Sequence, residues 1–502
     1  MAVPKIFGIE TEYGIQGVEG GETNPVVGSS LLINAYTYEL HNRVGWDFED
    51  ETPGNDARGF GQPGSLPPEI ETHLVNTVLT NGGRYYVDHA HPEYSSPECA
   101  SASEAVLYDR AGEMVLLRSI RAARKAFGEQ GNLAVYKNNS DHKGNSYGCH
   151  ENYLMDREVP FAKIAQLVTA HLVTRIVFTG AGKVGTEVGP GRSTSGTQVE
   201  YQISQRAEFF EEEQGLETTL KRPIVNTRDE PHADPRRYRR LHIICGDANM
   251  SEVATFLKLG TTGLILSMIE DGWLDKSGLV LKTPVVDFHE LSRDLTLGKT
   301  LELDNGRKLS AIEIQWELYR ISEKYVHENG FESVGESVRG PELMERWCQA
   351  LHDLEVDFNR CKTTIDWVAK LGLIQAYRDR HGLGWESARL VALDLQYHDV
   401  RPEKSLFGRL KLDKMVEESQ VEHAVVEPPT TTRAYFRGKC LQKWADQIVT
   451  ANWDSVVFDL GAEPLKRIPT MDPLRGTYLH VGKLIEECTT PAELLDKLSS
   501  KD

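Results

Sequence analysis

What the sequence lacks narrows its class first. The 502-residue chain holds seven cysteines, Cys99, Cys149, Cys245, Cys348, Cys361, Cys440 and Cys488, with no C-x-x-C pair and no zinc-ligand spacing. An odd, scattered set excludes a disulfide framework and reads as reduced thiols, so the expected compartment is the cytoplasm. No run approaches the ~18 consecutive apolar residues that cross a bilayer. The opening MAVPKIFGIETEYG sets Glu10 and Glu12 where a signal peptide carries its apolar stretch, so no membrane partner is expected. Basic side chains are outnumbered, 56 against 75 acidic, and the net charge of −19 disfavours a nucleic-acid partner. The H-E-x-x-H zinc signature is missing, and neither a Ser-His-Asp nor a Cys-His arrangement has local support. The absence of coiled-coil heptads leans toward a monomer.

What is present is an ordinary folded composition, 40% hydrophobic and 26% charged, long enough for one large domain and a smaller one. The Pro-Pro-Thr-Thr-Thr stretch at 428–432 is the expected boundary between a catalytic domain over 1–427 and a small domain over 428–502. Residues 5–15 alternate as a strand, with Phe7, Ile9, Tyr13 and Ile15 on one face. Strand patterns recur at 84–88 and 200–209. Helices are predicted over 161–178, after an N-cap at Ser251, and through much of 312–375. Residues 46–73 hold four prolines, four glycines and seven acids against Arg58, which predicts a long, mobile acidic loop. The stretch 189–197 reads as a flexible turn. Gly180, Gly182 and Gly185 spell G-x-G-x-x-G beside Lys183, but a helical pattern precedes them and Val184 stands where a phosphate loop has Ser or Thr, so the motif is rejected.

The chemistry-bearing segments are acidic. Glu10 and Glu12, two apart on a strand, project to one side about 7 Å from each other, as metal-binding carboxylates or as a solvated strand face. In RYYVDHAHPEYSSPE, Arg84, Tyr86 and Asp88 share a face and Glu93 follows a turn. Asp88 suits a base or nucleophile and Glu93 a metal oxygen; a surface salt-bridge network is the alternative. His150 precedes Glu151 and Asn152 in a polar loop, as a ligand or a structural histidine. Gln202, Ser204, Arg206 and Glu208 are expected on one strand face. Arg222, Arg228, Arg240 and His242 follow, and converging guanidinium groups suit phosphate, with scattered surface arginines as the alternative. Without a glycine-rich cradle, this set points to ATP held largely through Mg²⁺.

Four stretches carry a resemblance: FGIETEYGI, YVDHAHPEYSSPE, LKRPIVNTRDEPHADPRRYRRLHIICGDAN and TRAYFRG. Together they resemble the Pup ligase and depupylase family, where Pup is the prokaryotic ubiquitin-like protein, related to glutamine synthetase and glutamate-cysteine ligase. GIETEYG and the insertion from Trp46 to Phe60 resemble the depupylase branch. An acid expected after Phe60 is missing, and 183–197 is longer than usual. The resemblance implies an α+β fold, a glutamine-synthetase-like curved antiparallel sheet packed by helices, with a small C-terminal domain. It implies hydrolysis of the isopeptide bond between the C-terminal glutamate of Pup and substrate lysines, and deamidation of a C-terminal glutamine of Pup. The alternatives are a Pup–protein ligase and a small-molecule carboxylate-amine ligase. Asp88 matches the catalytic position, and Glu10, Tyr86, Glu93, His150 and His242 match magnesium positions. Strand residues Gly8, Ile9, Glu10, Thr11 and Glu12, with Ser96, Pro97, Arg240 and Tyr435, are expected around ATP. Charge adds Arg206, Arg228 and Arg433 to them. Pup and pupylated proteins are the implied partners, with 401–411 a modest candidate for docking.

Overall fold

A computed structural model describes residues 1–18, 24–40, 44–49, 51–60, 75–187, 199–461 and 464–499. Its frame is a ten-stranded sheet. The strands are β1 (Phe7–Glu12), β2 (Gly45–Trp46), β3 (Asn76–Val78), β4 (Arg84–Asp88), β5 (His91–Ser95), β6 (Cys149–Asp156), β7 (Tyr238–Ile243), β8 (Ile448–Ala451), β9 (Ser455–Phe458) and β10 (Lys466–Pro469). Their order across the sheet is β7-β6-β1-β5-β4-β3-β2-β8-β9-β10. Every pairing is antiparallel except β2 with β8.

Strand alternation makes the sheet two-faced. Along β1, Phe7, Ile9 and Thr11 are buried while Gly8, Glu10 and Glu12 stay half-buried. The apolar face is covered by helices α1 (Ala102–Phe127), α2 (Phe161–Thr174) and α3 (Glu252–Glu270). Ser101 caps α1 by accepting from the Glu104 amide, and Ser251 caps α3 by accepting from the Ala254 amide. Helix α3 is long and apolar enough to cross a membrane by composition, but it lies wholly inside the fold. It is the central core helix.

Residues after 428 complete this frame. Strands β8–β10 extend the sheet through the β2–β8 pair, and a second core joins Val44, Trp46 and Val78 to Phe436, Trp444, Val456 and Leu484.

Two expectations change. The 200–209 strand is reduced to Tyr201–Gln202, because its polar side chains take separate buried partners: Gln202 donates to Gly185 O, Ser204 to Asp247, and Arg206 to Ser146 Oγ and Ile244 O. The 161–178 helix breaks near Arg175, whose guanidinium is drawn onto Glu151 at 2.6 Å. The 401–411 segment forms turns with a single short helical turn over Phe407–Arg409. The 189–197 stretch and residues 61–73 lie outside the described residues. The rejected glycine motif contains a two-residue strand, Lys183–Val184, and Lys183 is buried against Glu187 and Glu208.

Candidate active site

Sheet register gathers residues that the sequence scatters. Glu10 sits opposite His150 on one side and Ser95 on the other, Glu12 opposite Glu93, and Glu93 opposite Tyr86. Asn152 faces Gly8 across one pairing and His242 across the next. Cross-strand partners point to the same side, so all of these groups project from the face away from α1 and α3. Of these, Glu10, Tyr86, Glu93, Ser95, His150 and His242 border an open cavity of about 320 Å³, together with Asp88, Arg84, Arg228 and Arg240.

Two donor groups form on its floor. Glu10, His150 and His242 offer ligand atoms within 4.8 Å of one another, and so do Glu12, Asp88 and Glu93. The first group is ordered by its neighbours: Asn152 donates to Glu10 at 2.8 Å, Arg240 donates to the Asn152 oxygen at 2.6 Å, and His242 Nδ1 lies 2.9 Å from that oxygen. Burial, and then Arg240, keep the His242 pKa well below its usual value, which leaves a neutral imidazole. Burial works against the charge on Glu10, but its contacts with His150 and His242 and the nearby Arg240 guanidinium outweigh it and lower its pKa. Glu12 is likewise held at about 2, because His91 overcomes its burial.

Glu93 is the opposite case. It is 2% exposed, and burial followed by the negative charges of Asp88, Glu12 and Glu10 pushes its carboxyl well above the ordinary range. Asp88 ends β4 at a tight turn where His89 takes a left-handed backbone (φ 51°) and sets its Nδ1 2.8 Å from the Asp88 carboxylate. Tyr86 borders the cavity beside Glu93, and its hydroxyl lies 3.3 Å from Ser95 Oγ.

Beside the cavity runs a narrower slot of about 80 Å³. Gly8, Ile9, Glu10, Ser96, Arg240 and Arg433 line it among apolar neighbours such as Leu154 and Trp453. Ser96 Oγ accepts from the Ile9 amide at 3.1 Å. The slot meets the cavity at Glu10, Ser95, His232, Arg240 and Trp453, so an elongated ligand would run from one into the other. Asn152 also lines the slot and was missed in the sequence; its spacing of two from His150 was the signal.

Four expected nucleotide contacts fall elsewhere. The Thr11 side chain is on the core face, Pro97 lines neither space, and Tyr435 packs against Tyr478 at 5.6 Å in the second core. Arg206 is buried, and its guanidinium is taken up by Ser146 and backbone carbonyls. The described part of the acidic loop is docked rather than free. Thr52 N donates to Glu230, Ala57 N to Thr227 O at 2.8 Å, and Asn55 O accepts from Asp229 N at 2.8 Å, so Phe48, Glu51 and Pro53 border the cavity.

A model of the family described as Pup-ligase protein matches residues 5–457. The chain belongs to the Pup-ligase family. Two relatives in that family match almost end to end. Identity is 48% to the depupylase of Acidothermus cellulolyticus over 99% of both chains. It is 46% to the Pup deamidase/depupylase of Mycolicibacterium smegmatis over 99% of this chain and 100% of that one. Against the Pup–protein ligase of Renibacterium salmoninarum it is 36%, over 98% and 99%. Solved structures of the Pup-ligase family share the fold. The ligase PafA in complex with Pup aligns with a TM-score of 0.78 at 30% identity, over 99% of this chain and 95% of that one. PafA in complex with ADP aligns at 0.73 and 33% identity, over 82% and 89%.

Proposed function

We propose that this chain is an ATP-dependent depupylase that hydrolyses the isopeptide bond between the side-chain carboxyl of Pup's C-terminal glutamate and a substrate lysine. It also deamidates a C-terminal glutamine of Pup, since both reactions cut one side-chain amide. The observation that carries this reading is the Asp88–Glu12–Glu93 group at the cavity. Its support is the near full-length likeness to depupylases, closer than to the Pup–protein ligase.

The donor chemistry fits Mg²⁺. Three carboxylates suit a hard divalent ion, the Glu10 group adds one carboxylate and two imidazoles, and the crowding that raises Glu93 marks a carboxylate set short of positive charge. Glu10, His150 and His242 would hold one ion, and Glu12 and Glu93 another. Mg²⁺ bound there supplies charge neutralisation and polarisation of an amide or phosphate oxygen. Gly8, Ser96, Asn152, Arg240 and Arg433 would hold ATP in the slot, directing its phosphates toward the cavity. Asp88 either attacks the amide carbon as nucleophile or takes a proton from water. In the net reaction the C–N bond breaks, water's hydroxyl joins the acyl carbon and its proton goes to the lysine amine. The Arg240 guanidinium, at the junction of slot and cavity, stabilises negative charge on phosphate or carbonyl oxygen.

The test incubates the chain with a Pup–lysine conjugate, Mg²⁺ and ATP, following cleavage and ADP release for wild type and Asp88→Asn. Cleavage with little ADP per cut, lost in the variant, is the expected result. ADP formed in step with new conjugates from free Pup would identify a ligase instead. Cytoplasmic residence and a monomer belong to the same reading; the seven cysteines are all free thiols.

A further inference from the structure

The reaction cavity is acidic on its floor, yet two guanidinium groups line it without an anionic partner. No carboxylate comes within 4.0 Å of Arg84 or Arg228 among the described residues. Arg84 is held rigidly: its guanidinium lies between the rings of Trp46 and Tyr86, 4.1 and 3.9 Å from their centres, while Nε donates to Asn76 at 2.9 Å. That leaves both terminal amino groups of the fork to a ligand. Arg228 keeps a buried Nε with no hydrogen-bond partner in the same wall. Of the acids that feel them, Glu51 is occupied by the Trp46 indole at 2.6 Å, with burial raising its pKa in spite of Arg84, and Glu230, which feels Arg228, accepts from the Thr52 amide and lies 3.7 Å from Arg240.

Position separates these arginines from the nucleotide. Both border the reaction cavity and neither borders the slot, whereas Arg240 borders both and Arg433 only the slot. Arg84 also shares a strand face with Tyr86 and Asp88, and the Tyr86 hydroxyl feels the charges of Arg84, Glu93, Glu10 and Asp88 together. The anion that must lie near Asp88 in a depupylase is set by the bond being cut. A C-terminal glutamyl residue joined through its side chain keeps a free α-carboxylate, separated from the scissile carbonyl by only three carbons.

We propose that Arg84, assisted by Arg228, is the subsite for this α-carboxylate, so that the enzyme selects a chain-terminal glutamyl or glutaminyl residue over an internal one. The inference rests on the depupylase reading. A fork pre-set between two rings loses little freedom on binding a planar carboxylate, and a buried polar site left without its partner rejects the analogue strongly.

Two Pup–lysine conjugates test it, one ending in the free α-carboxylate and one in the α-carboxamide, with kcat/KM measured for both at saturating ATP and Mg²⁺. Wild type is expected to favour the free acid by about tenfold or more. Arg84→Met, which keeps aliphatic bulk between the rings, is expected to slow cleavage of the acid mainly through KM and to erase most of the preference. Arg84→Lys should restore part of it, and Arg228→Met should weaken it. Equal cleavage of both conjugates by wild type overturns the proposal, as does an Arg84→Met variant that keeps the full preference. So does a loss confined to nucleotide affinity, which would assign the arginines to phosphate. Wild type cleaving neither conjugate would overturn the depupylase reading itself, an outcome distinct from cleavage without discrimination.

Discussion

Glu93, buried at the cavity, and Glu98, half-buried at the slot, are two glutamates of one site, and the protein treats them in opposite ways. Arg433 donates to Glu98 at 2.7 Å, and Arg437 contacts both carboxylate oxygens. Burial alone would raise the Glu98 pKa, but Arg437 and then Arg433 hold it at about 2. Glu93 has no cation paired with it among the described residues, only Asp88 and Glu12 in its group and Glu10 beyond them. Glu98 arrives with its counter-charge built in, whereas Glu93 at the cavity is left unmatched until a ligand comes.

The largest effects should come from the unmatched side. Asp88→Asn should lower conjugate cleavage by about 10³-fold or more, with a thermal midpoint close to wild type. Glu93→Gln should lower cleavage by about 10²-fold, yet in EDTA its thermal midpoint should equal or exceed that of wild type. Replacing a crowded carboxylate with a neutral isostere removes repulsion. Adding Mg²⁺ should raise the wild-type midpoint, by about 2.7 kcal/mol of stability at a hundred times Kd, and raise Glu93→Gln less. A Glu93→Gln protein that is less stable than wild type without metal would erase the contrast.

The matched side predicts stability first, with any effect on rate passing through Arg433 in the slot. Glu98→Ala strands two guanidinium groups and should destabilise the fold by about 3–5 kcal/mol in urea titration. The pH dependence follows from the sign of the shift. The folded pKa, about 2, lies below the unfolded value of 4.5, so the pairing stabilises above pH 4.5 and is lost as pH falls toward 2. The gap in unfolding free energy between wild type and Glu98→Gln should therefore be level near neutrality. It should shrink by up to about 3 kcal/mol through that acid window.

The same contrast explains what could be read in the sequence. Alternation along β1 and β4 placed Glu10, Glu12, Tyr86 and Asp88 on their faces, because strand geometry is local. The Ser251 cap and the helices between 312 and 375 were legible for the same reason. Register was not: Glu10 meets His150 and Glu12 meets Glu93 through pairings between distant segments, which no local pattern encodes. The role of Arg206 was misread because charge alone does not say whether a guanidinium meets a ligand or a backbone carbonyl. Tyr435 was misplaced because an aromatic near the slot in sequence packs equally well into the second core. The joining of the C-terminal strands to the main sheet went unseen, since it depends on the two-residue strand β2.

That joining yields the smallest predicted effect. Arg467 on β10 reaches Asp47 at 2.8 Å and also contacts Glu49, while Asp47 N donates to Ala451 O at 3.1 Å. Trp46 meets Trp453 edge-on at 5.0 Å, and Trp453 borders both the cavity and the slot. The C-terminal strands therefore hold the segment that carries Phe48 and Glu51 into the cavity wall. Arg467 is partly exposed, so its ion pairs contribute on the order of 1 kcal/mol. Arg467→Ala should lower kcat/KM by about fivefold or less, since 1.4 kcal/mol is tenfold. Arg467→Lys should recover most of that loss, because a point charge still serves two carboxylates. The thermal midpoint should move little, as the β2–β8 pair and the second core remain. A loss as large as that of Glu93→Gln would mean that this anchor acts directly on the reaction, and that matched charges in this fold are not confined to holding it together.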